Sequence, residues 1–120
     1  MLSVEIQAFT YEDRHALLPA LTAGLGRCGG WILDRRTLSA TQLEFRVEIQ
    51  LRAALDLYGT LIEQGVELTR AAHERLTDLC ARRKHVRHNA ELGQVVELRL
   101  ELSFLDDLTL HNVLSASGAA

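Results

Sequence analysis

The first residues in the chain that could do chemistry together are the consecutive Asp13, Arg14 and His15. Asp13 is a suitable helix N-cap, because its carboxylate can accept hydrogen bonds from the free amides of the first turn. Free amides beside a cation at a helix start can bind a carboxylate or a phosphate group. A simple N-cap followed by two solvated side chains explains the same residues, so the sequence leaves both interpretations open.

Cys80, His85 and His88 are potential metal ligands close together in the chain. A zinc site needs a fourth ligand and a chain that folds back to bring it in, and the spacing shows neither. Histidines near a helix end beside a buried cysteine explain this pattern more simply. We therefore predict no metal and no other cofactor.

The run of residues 82–88 is rich in Arg, Lys and His and could contact nucleic acid or an acidic partner. It ends a predicted helix and contains no interleaved aromatic residues. The whole chain has 13 basic against 16 acidic residues, a formal net charge of −3. Because this balance gives no overall attraction to phosphate backbones, we expect no nucleic-acid partner.

Cys28 and His73 could be imagined as a nucleophile and its base, but no Gly-rich nucleophile turn surrounds the cysteine. The simpler interpretation is a small buried thiol and an imidazole on a helix surface. Cys28 and Cys80 match no metal or redox spacing, so we expect both to be reduced. With no acid–base pair in evidence, the sequence does not predict an enzyme.

Period-two alternation of apolar and polar residues predicts strands over 2–10, 42–51 and 94–104, each with one apolar face. Residues 31–39 form a weaker strand, and the short reversal at Ala40-Thr41 joins it to the next strand as a hairpin. Val66–Leu68 is a candidate short strand. The pattern allows either this segment or the last strand, or both, to pair with the first.

Three amphipathic helices are predicted, after Asp13, over 52–64 and over 70–84, the last capped by Thr69. Pro19 lacks a backbone N–H and predicts an irregular start to the first helix, which Gly29-Gly30 ends. The predicted inner faces are Leu17, Leu18, Leu21 and Leu25 for the first helix, Leu55, Tyr58, Leu61 and Ile62 for the second, and Ala72, Leu76, Leu79 and Cys80 for the third.

This order of elements predicts an α+β fold, a ferredoxin-like α/β plait. Its antiparallel sheet has 4–5 strands with helices on one face and an extra C-terminal helix and strand. Residues 1–114 form one domain, in which 108–114 is a short docked segment, and 115–120 is a flexible tail. No apolar run approaches the ~20 residues of a membrane helix, and the N-terminus is unlike a signal peptide, so we expect a cytoplasmic protein without membrane contact.

Residues 1–69 resemble the ACT domain family of small-molecule regulatory modules. That family has a loop and helix of the type D-R-P-G-L-L, a glycine turn, a strand like N-I-L-x-A-R, a hairpin strand, and a second helix ending in G-V-x-V. The corresponding residues here are Asp13-Arg14-His15-Ala16-Leu17-Leu18, Gly29-Gly30, Ile32-Leu33-Asp34-Arg35-Arg36, the strand with Phe45, Val47 and Ile49, and Gly65-Val66-Glu67-Leu68. His15-Ala16 stands where the family commonly has Pro-Gly.

The resemblance implies a non-enzymatic homodimer or higher homo-oligomer that binds an amino acid or a similar small metabolite. Such a ligand lies where the first loop of one protomer faces another. The implied ligand-binding residues are Tyr11, Glu12, Asp13, Arg14, His15 and Ala16, with Gly29, Gly30 and Trp31 opposite them. Residues 70–114 are a helix–strand extension outside the resemblance. The alternative function is a protein–protein assembly module without a ligand, using the charged sheet face, the third helix or the last strand.

Overall fold

The computed structural model describes residues 2–105, which form a mixed five-stranded sheet and four α-helices. A single 3-10 turn, Leu51–Ala53, precedes the second helix. The strands are β1 (Leu2–Thr10), β2 (Trp31–Ser39), β3 (Gln42–Gln50), β4 (Val66–Leu68) and β5 (Val95–Phe104). The helices are α1 (Arg14–Arg27), α2 (Ala54–Glu63), α3 (Arg70–Lys84) and α4 (Asn89–Leu92).

The strand order across the sheet is β2-β3-β5-β1-β4. β5 lies at the centre, antiparallel to β3 and parallel to β1, whereas β4 pairs with the other side of β1. Both candidate neighbours, β4 and β5, therefore pair with β1. The prediction of a fully antiparallel sheet is wrong for the β1–β5 pair.

The path of α3 explains why β5 runs parallel to β1. Thr69, at the start of α3, bonds to the Gln7 carbonyl, and Arg75, a turn and a half further on, bonds to the Glu5 carbonyl. α3 therefore travels back toward the start of β1, and β5 enters the sheet beside Leu2. From that end the strand can pair along the whole of β1 only by running in the same direction.

One face of the sheet and the inner sides of α1, α2 and α3 form a single apolar core, as predicted. The alternating residues of β5 predicted to face inward, from Val96 to Phe104, are all buried. The opposite face of β3 and β5 carries Glu, Arg and Gln side chains. β2 differs from the other strands because all its residues except Ile32 are exposed.

α1 runs without interruption through Pro19, so the irregular start predicted for it is wrong. The N–H that proline lacks would bond to the carbonyl of His15, and both residues are exposed. Water can therefore satisfy that carbonyl, and the cost of the missing bond stays small. The predicted apolar stripe is confirmed: Leu17, Leu21 and Leu25 are buried and Leu18 packs against the core.

α2 is rotated relative to the predicted inner face. Its buried residues are Ala54, Leu57 and Leu61, while Leu55 and Ile62 are exposed. The 3-10 turn causes the rotation, because the buried Leu51 and Ala53 fix the direction in which the helix begins.

The expected docked segment 108–114 and tail 115–120 lie outside the described residues. No helix in the described range 2–105 is long and apolar enough to cross a membrane.

Candidate functional site

A groove of about 600 Å³ lies where β1 ends, between the loop that leads into α1 and the turn that precedes β4. Phe9 and Tyr11 stand at one side of it with their rings edge to face and centroids 6.3 Å apart. Its lining residues are Phe9, Tyr11, Glu12, Ile62, Gly65, Val66, Glu67, Leu68 and His73. The groove thus contains two of the nine residues that the sequence nominated, Tyr11 and Glu12.

Thr10 fixes the loop to the opposite wall of the groove. It is fully buried, and its hydroxyl donates to the Gly65 carbonyl at 2.9 Å. The Thr10 hydroxyl oxygen also accepts a hydrogen bond from the Glu12 amide at 3.1 Å. One hydroxyl therefore holds the first residues of the loop against the turn between α2 and β4.

Gly65 makes this close approach possible. Its φ of +84° lies in the left-handed region that side chains other than glycine rarely adopt. A Cβ there would lie 2.9 Å from Cγ of Glu12 and 3.0 Å from its Oε1. The Glu12 side chain therefore packs directly over the glycine, and a larger residue would push its carboxylate out of place.

His73 closes the groove from the first turns of α3. The hydroxyl of Thr69 caps this helix by accepting from the Ala72 amide and donates to the Gln7 carbonyl, which anchors the helix start to β1. His73 Nδ1 is hydrogen-bonded to the Tyr58 hydroxyl, and the two rings lie 5.6 Å apart. Tyr58 therefore orients the imidazole beside the groove.

The groove is acidic and partly apolar. Glu12 and Glu67 supply two carboxylates, the aromatic rings and Ile62 supply apolar surface, and none of the described lining residues is Arg or Lys. Carboxylates and aromatic faces both attract cations, the latter through the ring quadrupole. This arrangement can hold a ligand that combines an ammonium group with an apolar body.

The remaining predicted loop residues have other roles. The Asp13 carboxylate caps α1 by accepting from the Ala16 amide at 3.1 Å, as the sequence predicted. Arg14 donates to the Ala40 carbonyl at 2.8 Å and lies over the Phe104 ring, 4.8 Å from its centroid. His15 and Ala16 are exposed and do not line the groove.

Gly29, Gly30 and Trp31 lie at the far end of α1, which spans about 21 Å at 1.5 Å per residue. The strand register agrees, because Trp31 is in the row of Glu48, Glu97 and Ser3, whereas Thr10 is in the row of Phe104. Gly30 is tightly packed, since a Cβ would meet Ile49 at 2.8 Å. Within one chain, the two halves of the predicted site are therefore separate.

The other candidate clusters do not assemble. The Cys28 thiol lies 3.3 Å from the Thr60 hydroxyl, whereas His73 pairs with Tyr58. Residues 2–105 contain no group of three or more His, Cys, Asp or Glu that could hold a metal ion. Burial raises the pKa of the Cys80 thiol, although Arg83 and Lys84 nearby act in the opposite direction.

Sequence reasoning missed two residues that organise the groove, Thr10 and Tyr58, and seven of the nine residues that line it, among them Glu67 and His73. Thr10 carried a readable signal, because it is a polar residue on the inward side of an alternating strand. A buried hydroxyl normally has hydrogen-bond partners, so its position predicts a local anchor. Glu67 and His73 had no such signal, since their proximity depends on how β4 and α3 pack.

Comparison with models of known protein families finds no match to this chain, and comparisons with curated proteins and with solved structures find none either.

Proposed function

We propose that this chain is a non-enzymatic, ACT-like regulatory module that binds a small metabolite in the groove beside Tyr11 and Glu12. The observation that carries the proposal is the Thr10 hydroxyl, which ties Glu12 to Gly65 and preforms one wall of the groove. The arrangement of β1 to β4 is compatible with a ferredoxin-like plait into which β5 is inserted between β3 and β1. Ligand sites that are largely preformed cost less conformational entropy when they bind.

The lining of the groove favours a ligand held by its ammonium group. Glu12 and Glu67 would accept from the ammonium, and Phe9, Tyr11 and Ile62 would contact an apolar side chain. An apolar or aromatic amino acid has both features. Because no described Arg or Lys lines the groove, the α-carboxylate of such a ligand would face solvent.

The proposal is tested by thermal shift and calorimetry with the twenty amino acids, their decarboxylated amines and common nucleotides. We expect stabilisation by apolar amino acids, and binding of the matching amines at least as tight, because the carboxylate has no partner. Stabilisation by nucleotides alone, or by none of these compounds, would refute the proposal.

Charge-removing variants locate the site. A hydrogen bond to a charged group is worth about 1.5–3 kcal/mol, so Glu12→Gln or Glu67→Gln should raise Kd by about 10- to 100-fold. Glu63→Gln, an exposed residue of α2 that does not line the groove, is the matched control and should leave Kd unchanged. Equal effects of all three variants would place the ligand elsewhere.

A second candidate function is assembly without a small-molecule ligand. The exposed edge strand β2 favours it, because nine residues of extended chain have a described neighbour on one side only. Light scattering of the ligand-free protein separates the two functions. A stable oligomer combined with no ligand in the screen would leave assembly as the function of the fold.

A further inference from the structure

A second groove lies at the other end of β1 from the groove described above. It has a volume of about 360 Å³, lies between the first residues of β1 and α3, and shares no lining residue with the first groove. Leu79 is buried and Leu2 and Val4 pack against the core, so these three residues give the second groove an apolar side. Its other side carries three exposed charged residues of α3: Arg75, Asp78 and Arg82.

The second groove exists because β4 is much shorter than β1. β4 pairs only with Ala8, Phe9 and Thr10, and at Thr69 the chain leaves the sheet to begin α3. The other six of the nine residues of β1 have no strand beside them on this side in the part of the chain that the structure describes. A length of open sheet edge therefore forms one wall of the groove.

Ser3 offers its backbone groups at this edge. Alternate residues of a strand direct their N–H and C=O groups to the same side. The Gln7 carbonyl accepts from the Thr69 amide and the Glu5 carbonyl accepts from the Arg75 guanidinium at 2.8 Å, so both point to this edge. Ser3 is next in the series and is exposed. A short extended peptide could therefore pair with Ser3 while Arg75 stays in place.

The charge beside the second groove is opposite to that of the rest of the chain. Residues 70–88 contain six of the 13 Lys and Arg residues but only two of the 16 Asp and Glu residues. Their formal net charge is +4, so the remaining residues carry −7. Arg82 lies in the last turn of α3 and forms no ion pair within residues 2–105. An acidic group of a ligand is therefore favoured near Arg82.

We infer that the second groove binds a short extended peptide of another protein, in which an acidic residue follows two positions after an apolar one. The peptide takes the line of β4 and pairs antiparallel to β1 through Ser3, which is recognition by strand addition. Residues opposite each other in a sheet share a face, so the peptide residues opposite Val4 and Leu2 point toward α3. The first contacts the apolar side at Leu79, and the second, acidic residue reaches Arg82.

The observations favour a peptide over a nucleic acid. A strand edge presents N–H and C=O groups at the spacing of another peptide backbone. None of the described lining residues is aromatic, so the groove has no ring on which a base could stack. Asp78 also stands between Arg75 and Arg82 in the sequence of α3, where it would repel a continuous phosphate backbone.

The first test is selection of random short peptides, displayed on phage, on the whole chain. We expect the enriched peptides to share an apolar residue followed two positions later by Asp or Glu. The capped peptide Thr-Val-Thr-Glu-Thr, carrying a fluorophore, then serves as a probe for measuring Kd. N-methylation of its central Thr should raise Kd at least fivefold, because it removes the N–H that pairs with the Ser3 carbonyl.

Charge variants locate the peptide. Arg82→Glu should raise the Kd of the probe about tenfold and should bind the probe with Lys in place of Glu better than the original probe. Asp78→Asn should lower Kd about two- to fivefold, because it removes a repulsive carboxylate. Arg70→Glu is the matched control, since it makes the same charge change on the same helix outside the groove, and should leave Kd unchanged. Circular dichroism verifies that each variant is folded.

Amide hydrogen exchange tests the inference without any variant. The probe should slow exchange at Ser3 and leave exchange at Tyr11, in the first groove, unchanged. No enriched pattern, equal effects of Arg82→Glu and Arg70→Glu, or tighter binding of a single-stranded oligonucleotide than of the probe would overturn the inference. An oligomer that the probe dissociates in light scattering would make a second copy the occupant and would also overturn it. The function proposed for the first groove is tested separately through Glu12 and Glu67.

Discussion

Replacing Thr10 with valine tests whether one buried hydroxyl organises the groove. Valine has the same shape but loses the bonds to the Gly65 carbonyl at 2.9 Å and from the Glu12 amide at 3.1 Å. At about 1 kcal/mol net for each bond, the loss is about 2 kcal/mol. The additional buried methyl group returns about 0.8 kcal/mol. We expect a net destabilisation of about 1–2 kcal/mol, or roughly 4–8 °C in Tm.

The decisive assay is amide hydrogen exchange at Glu12, because it reports on the loop and not on global stability. The amide should exchange faster in Thr10→Val, and ligands of the groove should bind more weakly. Thr10→Ser is the matched control. It loses a buried methyl group at about 0.5–1.5 kcal/mol, so its stability falls too, but its hydroxyl keeps the loop in place. Unchanged exchange at Glu12 in the valine variant would refute the anchoring role of Thr10.

Two further predictions concern the core and a thiol. A Cβ at Gly24 would lie 2.7 Å from Cγ2 of Thr60, so Gly24→Ala should lower the free energy of unfolding by about 1 kcal/mol, measured with denaturant. Gly59→Ala, where a Cβ meets open space, should raise it by about 0.5–1 kcal/mol. A stabilising Gly24→Ala would contradict the close contact of α1 and α2. Because burial raises the pKa of the Cys80 thiol, its alkylation in a Cys28→Ser background should need a higher pH in the folded protein than in the unfolded chain. The free energy of unfolding should also fall as pH rises from the unfolded-state pKa toward the folded-state pKa, because the unfolded chain releases this proton first. Identical alkylation profiles for folded and unfolded protein would contradict this.

β1, β3 and β5 could be predicted because each follows a period of two and has one buried face, whereas the exposed β2 was predicted from the hairpin that joins it to β3. The predicted and observed bounds of β1 and β2 agree, and those of β3 and β5 differ by one residue at one end. The hairpin at Ala40-Thr41 and the caps Asp13 and Thr69 followed from local chemistry and are also confirmed. Alternation determines which side chains face inward, but it does not determine which strands are neighbours.

The buried face of a helix was harder to predict from the sequence than the buried face of a strand. The apolar residues of α2 fit two overlapping stripes, and the sequence alone favoured the one with Leu55 and Ile62. The turn Leu51–Ala53 decides between them, because its own buried residues set the phase of the helix that follows. The rotation also brings Tyr58 to His73, and this contact could not be inferred from either segment alone.

The candidate site was predictable only where it is local. Tyr11 and Glu12 follow β1 directly in the chain, and both line the groove. Glu67 and His73 reach the same groove from β4 and α3, through tertiary packing. Trp31 lies at the other end of α1, and only a second chain could unite it with the loop.

β5 belongs to the helix–strand extension after residue 69, but it lies in the middle of the sheet formed by the strands before that residue. Without β5, β1 and β3 would have no common neighbour, because the two strands do not touch each other in this sheet. The buried side chains of β5, from Val96 to Phe104, also fill the middle of the core. The helix–strand extension is therefore the element that joins the two parts of residues 1–69 in the sheet, with the groove and Thr10 on one side of β5 and the open strand β2 on the other.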